Sequence, residues 1–117
     1  MNDRTHHQHP GRFYALEYSL DFIRLLRPLV QTLERHDKCL AKQLRNAASS
    51  VALNLAEGRR RAGKDRTHFW RIAAGSADEA RTCLRVAESW GYLAEDDSHE
   101  ALEPLDRVLA ITWRLTH

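Results

Sequence analysis

The sequence predicts an all-α protein, an antiparallel up-down-up-down four-helix bundle, and three observations predict it. Apolar residues recur at helical spacing in four separate stretches. No stretch alternates apolar and polar residues as a strand would. The links between the four are short, which makes consecutive helices antiparallel neighbours. At 117 residues the chain reads as one domain with enough core to fold without staples. No run of about eighteen apolar residues occurs, so no membrane span is expected. The polar N-terminal segment has no apolar signal-peptide centre, which points to the cytoplasm. Cys39 and Cys83 fall inside helical patterns and read as small core or boundary residues in a reducing compartment, with a bridge between them the less expected alternative.

Residues 1–12 are expected to form a flexible polar tail and residues 13–117 the bundle. His6, His7 and His9 could catch a metal ion, but no second ligand group accompanies them. They read as solvated, and no cofactor is expected. The first helix runs from Phe13 to about Glu34. One apolar stripe holds Phe13, Leu16, Leu20, Ile23 and Val30, with Leu26 and Leu33 at its edge. A second holds Tyr18, Phe22, Leu25 and Leu29, roughly 140° around the axis. A helix inside a small monomeric bundle needs one such face. Tyr18, Phe22, Leu25 and Leu29 are therefore expected to meet another copy of the chain, the rival explanation being a central helix in a lopsided bundle. Pro28 removes one hydrogen bond, to Arg24, and should kink this helix rather than end it.

After a polar link at Arg35 to Lys38, the second helix continues to about Glu57 with a face of small residues: Leu40, Ala41, Leu44, Ala47, Ala48, Val51, Ala52 and Leu55. Asn54, at the edge of that face, either fixes register as a buried amide or satisfies backbone near the helix end. Gly58 stands where a left-handed residue would close the helix. The third helix spans about Asp65 to Trp90 and is closed by Gly91. Its centre, Ala73 to Ala77, is small enough to approach the second helix closely. Its other face offers Asp78–Arg81 and Arg85–Glu88 pairs. The loop Glu95 to His99 is acidic, and a fourth helix follows through Leu102, Leu105, Val108, Leu109, Thr112, Trp113 and Leu115. It begins either near Glu103, with Pro104 at the first position, or near Ser98, with Pro104 in the first turn. Trp70, Trp90 and Trp113 read as core or interface anchors.

The formal charge of +2 hides an asymmetry. Residues 35–71 carry ten basic side chains against three acidic, a net of +7, whereas residues 72–117 carry four against nine, a net of −5. The turn from Gly58 to Lys64 is thus a positive pole that suits an anionic partner.

The segments Gln43-Leu-Arg-Asn-Ala-Ala-Ser-Ser, Asn54-Leu-Ala-Glu-Gly58, Ala73-Ala-Gly-Ser-Ala-Asp-Glu79 and Trp90-Gly-Tyr-Leu93 resemble a family of small bacterial four-helix bundles. That family includes proteins encoded in intervening sequences of large-subunit ribosomal RNA genes and the accessory variability determinant of diversity-generating retroelements. The resemblance implies a ring of five copies with basic residues available to nucleic acid. Two departures stand out: Ala80 occupies a position usually held by leucine, and the Arg35 to Lys38 link lacks the usual proline.

These readings favour a non-catalytic, oligomeric nucleic-acid-binding protein that contacts RNA or DNA phosphates through Arg59, Arg60, Arg61, Lys64 and Arg66, with Arg45 and Arg71 roughly two to three helical turns away. No aromatic residue lies within Arg59 to Lys64, which argues for phosphate contact without base stacking or sequence readout. The hairpin arms are too long for a helix-turn-helix. The bland alternative is an arginine-rich turn that only solubilises one end of a bundle or pairs with acidic residues of another copy. A different class is a protein-interaction scaffold or accessory subunit, for example for a reverse transcriptase. An enzyme is not expected: Glu57, Asp65 and His68 are near one another in sequence, but nothing positions a nucleophile or oxyanion donors. Glu57 should instead pair with a nearby arginine, and His68 should sit at the edge of a packed face.

Overall fold

The four apolar stretches form four helices: α1 Tyr14–Glu34, α2 Lys38–Arg59, α3 Gly63–Trp90 and α4 His99–Thr116. The computed structural model describes residues 13–117; the expected tail, with its three histidines, lies outside the described residues. No strand occurs among the described residues, and none of their helices is long and apolar enough to cross a membrane.

Each helix packs against two neighbours, in the closed order α1–α2–α3–α4–α1. Links between elements fix the directions. Arg45 meets Glu34 across α2 and α1, Trp70 meets Leu55 across α3 and α2, and Arg71 and Arg81 meet Thr116 and Asp106 across α3 and α4. Advance along one helix is retreat along its partner, which is the expected up-down-up-down arrangement. The centre is filled by Phe22 and Leu33 of α1, Leu44 and Leu55 of α2, Leu84 of α3 and Leu105 of α4.

The reading of α1 as two-sided needs correction. Tyr18 and Phe22, expected at an interface between copies, are only 1% and 0% exposed within one copy. Leu25 and Leu29 are half-buried against the same core. The reason is geometric. A helix in a four-sided bundle faces two neighbours, here α2 and α4, and therefore needs a broad apolar arc. Arg107 of α4 places its guanidinium 5.6 Å from the Tyr18 ring centroid and closes that side. Pro28 lies inside α1, on an exposed side, and does not end it.

Asp37 caps α2 by accepting from the Leu40 N–H at 2.9 Å. Alanines are buried on both sides of the α2–α3 seam, Ala47 on α2 and Ala73, Ala77 and Ala80 on α3, whereas Ala48 lies beside Ile23, Leu26 and Val30 of α1. A polar link crosses the seam at one height: Ser50 Oγ lies 2.7 Å from Ser76 Oγ, and Asn54 Nδ2 donates to the Ser50 carbonyl at 2.9 Å and to its hydroxyl at 3.0 Å. Asn54 thus braces an inter-helix register contact rather than a helix end.

Gly58 is a second correction. It does not terminate α2 in a left-handed conformation; it is a buried residue inside the helix, and α2 runs on to Arg59. Glycine is required there for space. A Cβ would stand 2.5 Å from Trp70 Cδ1 and 2.6 Å from Nε1, below any normal contact. Among the described residues the left-handed ones are Gly63, at φ 58°, which opens α3, and Gly91, at φ 81°, which closes it as expected. Behind Gly91 the Tyr92 N–H reaches back to the Ala87 carbonyl at 2.9 Å.

Arg81 reaches Asp106 on α4 instead of Asp78, and Arg85 and Glu88 do not pair. The earlier start for α4 is the one formed, from His99, which carries the buried Pro104 beyond the first turn. Both cysteines are free; Cys83 is buried, and burial, with help from Glu79, pushes its thiol above the ordinary value, whereas Cys39 is exposed. Of the tryptophans only Trp70 joins the core, for Trp90 and Trp113 are 70% and 61% exposed.

Two glycine substitutions separate space from propensity. Gly58→Ala should lower the unfolding free energy by about 1–3 kcal/mol, because the methyl overpacks against Trp70. Gly75→Ala, in open helical backbone with nothing within 4 Å of the added carbon, should raise it by about 0.5–1 kcal/mol. Urea denaturation of both variants checks the pair.

A candidate nucleic-acid interface at the basic end of the bundle

One end of the bundle gathers the close of α2, the opening of α3, the start of α1 and the close of α4. The α2–α3 turn is tight: the Arg60 N–H donates to the Glu57 carbonyl and the Arg61 N–H to the Gly58 carbonyl. Beneath it, Trp70 lies across the bare Cα of Gly58 and donates its indole N–H to the Leu55 carbonyl at 3.2 Å. Phe13 packs on Trp70 with ring centroids 5.4 Å apart. The cations then layer onto this aromatic pair, Arg59 at 5.6 Å from the Phe13 centroid and Arg66 at 5.4 Å from that of Trp70.

The cations differ in how they are engaged. Arg66 caps α2, giving Nε to the Gly58 carbonyl at 3.2 Å and Nη2 to the Arg59 carbonyl at 3.0 Å. The Gly58 carbonyl thereby accepts a second bond beside that from the Arg61 N–H, and the Arg59 carbonyl, one that a helix end leaves without an intrahelical donor, gains a partner. Arg61 pairs with Glu57 at 2.9 Å, approaches Asp65 at 3.9 Å and lies over the Phe69 ring. Arg71 donates to the Thr116 carbonyl at 3.0 Å and ties α3 to the end of α4. The Arg60 and Lys64 side chains are exposed and have no hydrogen-bond or ion-pair partner among the described residues.

Arg45 does not belong to this group. It pairs with Glu34 at 2.7 Å beside the α1–α2 link, and the fourteen residues separating it from Arg59 place it about 21 Å up the helix. Glu57 is held by Arg61, as expected, but His68 is exposed, edge-on to Phe69, and not at a packed edge. No group of histidine, cysteine or acidic side chains suited to a metal ion occurs among the described residues. The acidic loop Glu95, Asp96 and Asp97 follows α3 at the opposite end of the bundle.

What sequence reading missed is a groove of ≈ 590 Å³ beside the turn, where α1 and α4 meet α3. Its apolar wall comes from Phe13, Tyr14, Ile111 and Leu115. Arg59, Arg66 and Arg114 stand around it. Arg114 lies far from the turn in sequence. The signal that finds it is the antiparallel order itself, which returns the last turn of α4 to the first turns of α1 and α3.

The chain matches the 23S rRNA-intervening sequence protein family over residues 15–113, a span that reaches from the start of α1 into the last turn of α4. It belongs to that family. The crystal structure of a protein of unknown function from the S23 ribosomal protein family of Bacteroides thetaiotaomicron has the same fold, with a TM-score of 0.77 over 87% of this chain and 97% of that one, at 18% identity. No curated protein matches the chain.

Within this 23S rRNA-intervening sequence family member the arginines should separate by role. Arg66→Ala removes two carbonyl caps and a stacking contact and should cost about 1–2 kcal/mol of stability. Arg60→Ala should stay within about 0.5 kcal/mol of the parent. Thermal or urea unfolding of the two variants measures the difference.

Proposed function

We propose that this protein is a non-catalytic, oligomeric nucleic-acid-binding protein of the cytoplasm that holds phosphate backbones at the basic end of its bundle, with little sequence preference. The observation that carries the reading is the convergence of Arg59, Arg60, Arg61, Lys64, Arg66, Arg71 and Arg114 on one end, with Arg60 and Lys64 unengaged and Arg114 on the rim of the groove. The family's association with rRNA genes is consistent with an RNA ligand. Cations fixed by stacking and capping lose little freedom on meeting phosphate, which favours binding. In a double variant with Arg60→Ala and Lys64→Ala, the logarithmic salt slope for duplex DNA should fall by about 1.8, some 0.9 for each phosphate no longer neutralised. Titrations of RNA and duplex at several salt concentrations measure it. An unchanged slope, or no binding by the parent at low salt, overturns the reading. If the parent is at the same time an intact oligomer, the scaffold reading takes its place, with a protein partner such as a reverse transcriptase.

Assembly into a ring, with five copies as the family resemblance implies, multiplies a modest patch into useful avidity. The outer α2–α3 face supports this better than α1 does. Leu53 follows Ser50 by three residues and Ile72 precedes Ser76 by four, so the Ser50–Ser76 link sets them level on antiparallel helices. They are 68% and 38% exposed, unusual for large aliphatic residues at neighbouring positions. Leu53→Arg should reduce the mass seen by light scattering to that of one folded copy, with the helical circular dichroism unchanged. A parent protein that is already a single copy at micromolar concentration removes the ring.

A further inference from the structure

Copies joined head to tail need two different faces on each chain, one that projects and one that receives. Leu53 and Ile72 project from the outer side of α2 and α3. The adjacent side of the bundle, between α1 and α2, carries a second groove, of ≈ 410 Å³. Its floor is apolar, from the buried Leu26 and Val30 of α1 and Ala48 of α2, and Ile23 and Arg27 line it as well. None of Tyr18, Phe22, Leu25 and Leu29 borders this groove, so it is a different side of α1 from the stripe that α4 helps to cover.

The two faces stand at matching heights. Arg59 near Phe13 at one end and Arg45 on Glu34 toward the other tie α2 to α1. Between these ties Leu53 comes level with Ile23, to within about one turn. Glu79 lies three residues past Ser76, so the Ser50–Ser76 link sets it level with Ala47, and hence with Ala48 in the groove. Height matters because copies related by rotation alone close on themselves, whereas a rise between copies gives an open filament. Charge matches too. Arg27 in the groove and Glu79 on the projecting face are both exposed, and neither side chain has a hydrogen-bond or ion-pair partner among the described residues. The two sides share α2 and face roughly at right angles in a four-sided bundle, which turns a row of copies back on itself within a few.

We propose that the α1–α2 groove receives the Leu53–Ile72 patch of a second copy of this chain, with Arg27 of the groove meeting Glu79 of the incoming face. The inference rests on the oligomer reading above and adds the surface on which each neighbour sits. Because the contact joins unlike faces, a chain spoiled in its groove and a chain spoiled in its patch still have one good face each.

That property supplies the test, read as mass by light scattering at micromolar concentration. Ile23→Arg and Leu53→Arg should each run as a single copy with helical circular dichroism retained, and an equal mixture of the two should run as a pair. A mixture that stays as single copies, or Ile23→Arg with the parent's mass, overturns the groove and leaves an oligomer standing. A parent that is itself a single copy overturns both readings. Ile23 is partly buried, so a second series uses exposed positions only. Arg27→Glu and Glu79→Arg should each weaken association about ten-fold, and the chain carrying both should recover to within about two-fold of the parent. Failure of the double variant to recover overturns the pairing of these two faces.

Discussion

The contact on which this molecule depends is that of the Trp70 indole with the bare backbone of Gly58. It sets how closely α2 and α3 approach at the turn, and its hydrogen bond to Leu55 anchors a buried polar atom that would otherwise lack a partner. Phe13 then packs on the indole, so the start of α1 is tied to the same point. The basic end is ordered because an aromatic pair lies beneath it.

That order answers a difficulty of charge. Several cations crowded onto one turn repel each other, and a solvated cluster would simply spread apart. Here most of them are given a local counterpart of a different kind: carbonyls for Arg66, carboxylates and a ring for Arg61, a ring for Arg59, the end of α4 for Arg71. Arg60 and Lys64 stay in solvent. The surface is therefore divided into fixed and mobile charge, and the fixed part carries directional information that a flexible basic tail lacks.

Periodicity makes the four helices legible to within about two residues, the start of α4 excepted, because an apolar arc every three or four positions has one regular interpretation. Gly91 was equally plain, since a glycine just past the last periodic residue of a helix has a standard role. Gly58 was not. A glycine near a helix end satisfies both a left-handed closure and a close approach, and only the position of Trp70, twelve residues on, separates them. For α1, the sequence names apolar residues but not the neighbours that cover them, so Tyr18 and Phe22 read as surplus until α4 is in place. Arg45 reads as two to three helical turns from the basic turn, but its fourteen residues from Arg59 make nearly four, and the nearness of Arg114 to the turn exists only after three reversals of the chain.

The bundle's interior mixes two kinds of side chain. Buried alanines, Ala47, Ala73, Ala77 and Ala80 among them, stand on α2 and α3 beside Leu44, Leu55 and Leu84, while α1 and α4 contribute Tyr18, Phe22, Leu105 and Val108. Drift at the two kinds of position therefore runs under opposite rules. An alanine has no volume left to give up, and enlarging it wedges its neighbours apart. The bulky positions can exchange one shape for another while conserving total volume. A fold fixed by smallness at some positions and fungible at others can persist between chains sharing only 18% of their residues.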